Sequence, residues 1–152
     1  MQFKYLKQLL CLFFDDDSSY VPNVVLLVLN KTIIFVPHDN RPISFKQTAD
    51  NIRDLGYEVL TPPEELLGNR ENPYAKPEEL SKWVIENAKK ADAAVISSDS
   101  MIYGSLVASR KHNLSEDVVL ARVHNFEKIH QANPKLMKLY VIWLNYENTS
   151  NK

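Results

Sequence analysis

The chain of 152 residues is long enough to bury one sizeable hydrophobic core, and we expect a single domain. Hydrophobic residues make up 45% and charged residues 24%, which are ordinary values for a globular protein. Because 18 Lys and Arg residues are balanced by 19 Asp and Glu residues, no basic face is indicated, and nucleic acid is not an expected partner.

The first thirty residues match the rest of the chain poorly. The apolar run 9–14 follows two lysines, like the start of a signal peptide, but three aspartates at 15–17 come next without a small-residue cleavage site. Neither this run nor 24–29 reaches the roughly 20 residues that cross a bilayer, so no membrane span is predicted. We expect residues 1–30 to be an extension outside the fold; alternatively, 24–29 forms an extra strand or a short packed helix.

The single cysteine, Cys11, excludes an intramolecular disulfide and a cysteine-based zinc site, and we expect a cytoplasmic location.

A short apolar segment, residues 31–36, leads into a polar loop between two prolines. Its β-branched and aromatic residues predict a strand that ends before Pro37, and its continuous apolarity suits a strand buried on both faces. The loop carries four hydrogen-bonding or ionic side chains: His38, Asp39, Asn40 and Arg41. Parallel sheets present binding sites on such loops at the carboxyl ends of strands, so we predict a site here.

Strand and helix signals alternate along the rest of the chain. Further strands are predicted at 57–60, 91–96 and 136–144, with helices that begin at Ser44, Pro77 and Ser115 and a short helical segment at 106–108. Ser44 and Gln47 have the form of a capping box. The predicted buried positions are Phe45, Ala49, Ile52 and Leu55 in the first helix and Val119, Val123 and Phe126 in the last.

This alternation predicts an α/β fold with a parallel sheet of about four strands, in the order 2-1-3-4, and helices on both faces. Half of a (β/α)-barrel is the alternative, since it has the same local pattern. We expect the domain to span 31–147 and a polar tail to occupy 148–152. A sheet that stops after its fourth strand leaves an open edge, so we expect the first part of a larger α/β protein, with a missing carboxyl-terminal portion or self-association.

A second polar cluster follows the third predicted strand. It includes Asp99 and Tyr103, and Arg110 comes shortly after. If the first and third strands are neighbours, this cluster and the loop 37–42 flank the same crevice.

Three motifs resemble a known family: Pro37-His-Asp-Asn-Arg-Pro42, Thr61-Pro-Pro-Glu-Glu-Leu-Leu-Gly68, and Ser98-Asp-Ser-Met-Ile-Tyr-Gly104 continuing to Ser109-Arg110. From residue 31 to about 146 the chain is similar to the start of the bacterial proteins grouped as domain of unknown function four-one-two-seven. Family members are longer, and they usually have a second glycine where this chain has Ser105, so we expect a different turn there. The resemblance implies a bacterial origin but no assigned activity.

Asp39 and Asp99 are the candidate catalytic residues, because two close carboxylates can divide the roles of acid and base. The alternative is that Asp39 only fixes its turn by accepting hydrogen bonds from loop amides and Arg41. Candidate substrate-binding residues are His38, Asn40, Arg41, Tyr103 and Arg110. Arg41 either holds a carboxylate or phosphate bidentately or clamps Asp39. No metal site is predicted, because His38, Asp39 and Asp99 are metal-ligand types without ligand spacing.

Two function classes remain open. The first is a hydrolase that acts on a polar, carbohydrate-like small molecule at the carboxyl edge, which the paired carboxylates favour. The second is a non-catalytic small-molecule binding domain, or an inactive fragment of a longer enzyme, which the early end of the sheet favours. The three glycines form no phosphate-binding loop, and the sequence identifies no cofactor.

Overall fold

A parallel four-stranded sheet organises the computed structural model, which describes residues 31–136 and 139–142. Its strands are β1 (Thr32–Val36), β2 (Glu58–Leu60), β3 (Ala93–Ser97) and β4 (Leu139–Ile142). The order is β2-β1-β3-β4, and every neighbouring pair is parallel. This confirms the predicted α/β class and strand order. In a barrel, successive strands would be neighbours, so the separation of β2 from β3 rules out the half-barrel alternative.

In the described ranges, four α-helices connect the strands: α1 (Lys46–Asp54), α2 (Pro77–Ala88), α3 (Leu106–Ser109) and α4 (Glu116–Ala132). A 3-10 turn at Glu64–Leu66 and a π-helix at Asp99–Tyr103 lie between them. α1 ends where Gly56 takes a φ of +92°, and Pro77 begins α2 because proline fits the first helical turn. Within the described ranges, no helix combines the length and apolarity that crossing a membrane requires.

Helices cover both faces of the sheet, as predicted. On one face, Ile34 and Val36 of β1 share a core with Leu80 and Val84 of α2 and with Ile129 of α4. On the other face, the core consists of Ile33, Phe35, Val59, Ala93 and Val95 from the sheet and Ala49 and Ile52 from α1. Alternate residues of β1 therefore belong to different cores, which explains the continuous apolar run of this strand.

The start of α1 differs from the prediction. The residue that precedes α1 is Phe45, and no side chain caps the helix, so the capping box at Ser44 and Gln47 is wrong. The chain instead enters α1 through backbone turns, in which Ser44 N and Phe45 N both donate to Arg41 O at 2.9 Å. Leu55, predicted to be buried, is 40% exposed because it lies beyond the last turn of the helix.

The position of α4 also corrects the predicted core. Ser115 is at the N-cap, as predicted, but its side chain makes no capping bond. Phe126 packs against the core as expected, whereas Val123 is 40% exposed and the fully buried residue is Ile129. The helix thus joins the core through its carboxyl-terminal half. Nearer its start, Arg122 ties it to α2 by a 2.6 Å ion pair with Glu78.

Several predictions about the ends of the chain lie outside the described residues. These are the extension at 1–30, the outer parts of the strand predicted at 136–144, and the tail at 148–152. The domain boundaries at 31 and 147 stay a prediction.

Candidate active site at the carboxyl edge

The loops after β1 and β3 begin side by side. The two strands are adjacent and parallel, with Val36 paired to Ile96, so both chains leave the sheet at the same edge. Two hydrogen bonds then join the segments beyond the strands: Ser100 Oγ donates to Pro37 O, and Leu106 N donates to His38 O. The polar residues after these strands are therefore held in one region, at a switch point of the strand order.

His38 lies between two polar side chains from the end of β3. Its Nδ1 is 3.1 Å from Asp99 Oδ2 and 2.7 Å from Ser97 Oγ. Ser97 is fully buried, the side chain of Asp99 is 8% exposed, and that of His38 is 21% exposed. The imidazole is thus held from the protein side while part of it stays open to solvent.

The tautomer of the neutral His38 ring depends on the hydrogen bond that its Nδ1 makes. An ionised carboxylate only accepts hydrogen bonds, so the tautomer that satisfies the contact with Asp99 has its proton on Nδ1 and its lone pair on Nε2, whereas donation from the Ser97 hydroxyl to Nδ1 would require the reverse. Ser97 approaches the same nitrogen as Asp99. A nucleophilic triad requires the serine and the carboxylate on opposite ring nitrogens, so these three residues are not one.

Asp99 is positioned by an irregular helix. It is the first residue of the π-helix, which ends where Gly104 N donates to Asp99 O at 2.9 Å and Gly104 adopts a φ of +102°. π-Helical turns are rare and occur frequently at functional sites. The helix is anchored in the core by Met101 and Ile102, which are almost completely buried.

Asp39 has a different partner, Arg41. Asp39 Oδ2 accepts from Arg41 Nε at 2.8 Å and lies 2.7 Å from Nη2, and Oδ1 accepts from Arg41 N at 3.1 Å. These hydrogen bonds, and secondarily the charge of Asp39, raise the pKa of Arg41 above its ordinary value. The side chain of Asp39 is 6% exposed and that of Arg41 is 58% exposed, so a buried carboxylate holds an accessible guanidinium.

A cleft of about 270 Å³ opens beside this pair. It is lined by Asp39, Arg41, Asn69, Arg70, Ser105 and Val107. Sequence reasoning missed Asn69, Arg70, Ser105 and Val107 as site residues. A usable signal was present, because the motif that ends at Gly68 stands directly before Asn69 and Arg70. Gly68 O accepts from Asn40 N at 3.0 Å, and this bond brings that motif to the loop after β1.

The other predicted substrate-binding residues lie around these two groups. Asn40 is half-buried and contributes its backbone N–H to the loop contact. Tyr103 is half-buried and its ring packs on His112, with centroids 4.5 Å apart. Arg110 is exposed just beyond α3. None of these three lines the cleft.

Residues that could hold a metal ion are not gathered here. Across residues 31–136 and 139–142, no group of three or more His, Cys, Asp or Glu side chains has an arrangement suited to a metal. The candidate site consists of a His38–Asp99 pair and an Asp39–Arg41 pair at the same edge of the sheet.

A comparison with protein-family models places the chain in a family. The model described as "Protein of unknown function (DUF4127)" matches residues 33–144, well over half of the chain. The chain belongs to the DUF4127 family. The matched region contains every residue of the candidate site, and it agrees with the resemblance found in the sequence motifs. The searches of curated proteins and of solved structures found no match.

Proposed function

We propose that this DUF4127 chain contributes a hydrolytic site for a polar small molecule, with His38 as the general base and Asp99 as the residue that positions it. The observation that carries the proposal is the 3.1 Å contact between His38 Nδ1 and Asp99 Oδ2 at the carboxyl edge. A neutral imidazole whose Nδ1–H is held by a carboxylate has Nε2 available to take a proton from water.

The assignment revises the pair of carboxylates expected from the sequence. Both oxygens of Asp39 accept hydrogen bonds from Arg41, so Asp39 acts as the positioning residue for a substrate-binding guanidinium. Two carboxylates that flank a bond suit glycoside cleavage, whereas a histidine base suits the ester and amide bonds of acylated, carbohydrate-like molecules. We therefore favour acyl hydrolysis. His38 removes a proton from water, the new oxygen–carbon bond forms, and the proton passes to the leaving alcohol or amine as its bond to carbon breaks.

Substitution of His38 and Asp99 tests this proposal. In the full-length protein, acetate release from acetylated glucose and acetylated glucosamine is measured beside nitrophenol release from nitrophenyl glycosides. We expect acetate release, with kcat/KM lowered about 100-fold or more in H38Q and about 10-fold or more in D99N.

The matched control is H124Q, since His124 is exposed on α4 and its Nδ1 contacts Leu120 O of its own helix. This variant should keep wild-type rates. Acetate release that survives H38Q would contradict the role of His38, and glycoside cleavage alone would restore the carboxylate pair as the better proposal.

A non-catalytic binding domain is the second candidate, and the position of the cleft favours it. The residues that line the cleft include Asp39 and Arg41 but neither His38 nor Asp99. Saturable binding of these sugars without hydrolysis of any of the probes would support this candidate.

A further inference from the structure

We propose that the cleft beside Arg41 binds the anionic group of a small-molecule ligand, a carboxylate or a phosphate, through Arg41 and Arg70. This inference names the charge of the ligand. It rests on the proposed function only where that ligand is identified as the substrate of His38.

The charges that line the cleft do not cancel. Asp39 is the only acidic residue among the lining residues, which include two arginines, Arg41 and Arg70. Its charge is matched by Arg41, to which it is hydrogen-bonded. In the part of the chain that the structure describes, the side chain of Arg70 has no hydrogen bond or ion pair. The positive charge of Arg70 is therefore available to a ligand. The guanidinium of Arg41 can contact the same ligand.

Arg41 is prepared for an anion by its contact with Asp39. Asp39 uses Nε and Nη2 of the guanidinium, so both N–H groups of Nη1 and one of Nη2 remain as donors. The fixed orientation reduces the side-chain entropy that binding would cost, and a guanidinium matches the geometry of both carboxylate and phosphate.

Arg70 and Asn69 are held at the cleft by a tight turn. Asn69 Oδ1 accepts from Glu71 N at 2.9 Å and from Asn72 N at 2.6 Å, and Asn69 N donates to Asn72 O at 3.1 Å. With its oxygen used in this way, the side-chain amide of Asn69 has only its Nδ2 hydrogens left to offer. Arg70 follows Asn69 within the turn, and both residues line the same cleft.

The remaining walls limit the size and chemistry of the ligand. Ser105 Oγ already donates its proton to Pro73 O at 2.6 Å, so Ser105 shapes the wall and provides no donor. The surface that lines the cleft is almost entirely apolar, and Val107, which is 47% exposed, contributes to it. A volume of about 270 Å³ is near the lower end of small-molecule sites. These features fit a small metabolite with an apolar body and one anionic end.

The test is calorimetric titration of the full-length protein at low ionic strength with inorganic phosphate and, separately, with acetate. We expect saturable millimolar binding of at least one anion, and the comparison identifies phosphate or carboxylate as the preferred group. R70Q should weaken binding about fivefold or more, as expected for the loss of a charge-assisted hydrogen bond. Because Arg70 is exposed, this change should not disturb the fold.

R53Q is the matched control, since it removes the same charge from the last turn of α1, away from the residues that line the cleft. It should change affinity less than twofold. The absence of saturable binding of both anions, or an equal loss in R53Q, would overturn the inference.

A third variant separates this inference from the proposed function. H38Q should abolish acetate release while keeping anion affinity within twofold of wild type. Turnover that depends on His38 without any anion binding would overturn the anion site alone. Anion binding that depends on Arg70, with hydrolysis unaffected by H38Q, would support the anion site and contradict the general base.

Discussion

Two glycines allow the loops around the cleft to lie in direct contact. A Cβ atom at Gly104 would lie 1.9 Å from Tyr74 O, and one at Gly68 would lie 2.5 Å from the Cβ of Ser105. The side chain of Ser105 therefore occupies space that the glycine at 68 leaves free. It also caps α3, since Ser105 Oγ accepts from Ala108 N at 3.2 Å. This explains how the chain accommodates a serine where relatives were expected to have glycine.

We predict that G104A strongly destabilises the protein. The substitution forces a side chain into a φ of +102° and against the backbone of Tyr74, and together these should lower the free energy of unfolding by about 3 kcal/mol or more. G56A is the control for backbone strain, because Gly56 has a similar φ of +92°, and it should cost only about 1–2 kcal/mol. Urea unfolding of both variants measures the difference. Equal losses would mean that the collision with Tyr74 is relieved by loop movement.

At the scale of elements, one carboxylate connects the amino-terminal ends of β1 and β3, at the edge of the sheet opposite the candidate site. Asp92, just before β3, accepts from Lys31 Nζ and from Thr32 N, both at 2.8 Å. Burial by itself would raise the pKa of Asp92, but these two hydrogen bonds and the charge of Lys31 outweigh it and lower the pKa below its ordinary value of 3.8. Asp92 thereby links the start of β1 to the turn before β3.

The pH dependence of stability should reveal this link. A lowered pKa in the folded state means that the stabilisation is complete above pH 3.8 and is lost as the pH falls through the folded-state value. We predict that D92N lowers the melting temperature at pH 7 by about 1–4 °C, a modest amount because the pair is partly exposed. Below about pH 4, the two melting temperatures should converge. Parallel curves from pH 7 to pH 2 would show that the charge of Asp92 does not contribute.

A comparison of the predicted strands and helices with those of the structure shows which features the sequence can predict. The strands followed from apolar runs cut by Pro37 and by polar clusters, and their parallel direction followed from the crossovers, which do not by themselves determine the order 2-1-3-4. The exposure of Val123 and the burial of Ile129 depend on how α4 lies on α2, which helical periodicity alone does not determine. Arg70 was missed although a motif ends just before it, since the bond from Asn40 N to Gly68 O that brings this motif to the loop after β1 is a tertiary contact.

At the scale of the whole molecule, the two edges of the sheet differ in character. The amino-terminal edge has the Lys31–Asp92 link, whereas the carboxyl edge has the His38–Asp99 pair, the Asp39–Arg41 pair and the cleft. Parallel strands impose this division, because all their carboxyl ends emerge on one side. The His38–Asp99 contact could not be predicted from the sequence, since it depends on the register of β1 against β3 and on the π-helix that holds Asp99.

The nitrogen NMR spectrum of the His38 ring tests the central claim most directly. When the ring is neutral, the wild-type protein should show a protonated Nδ1 and an unprotonated Nε2, because the proposed role of Asp99 is to accept a hydrogen bond from Nδ1. In D99N this preference should weaken or reverse, while H124Q, which removes the signals of one of the other three histidine rings, should leave it unchanged. A wild-type ring protonated on Nε2, or one whose tautomer does not respond to D99N, would contradict the account.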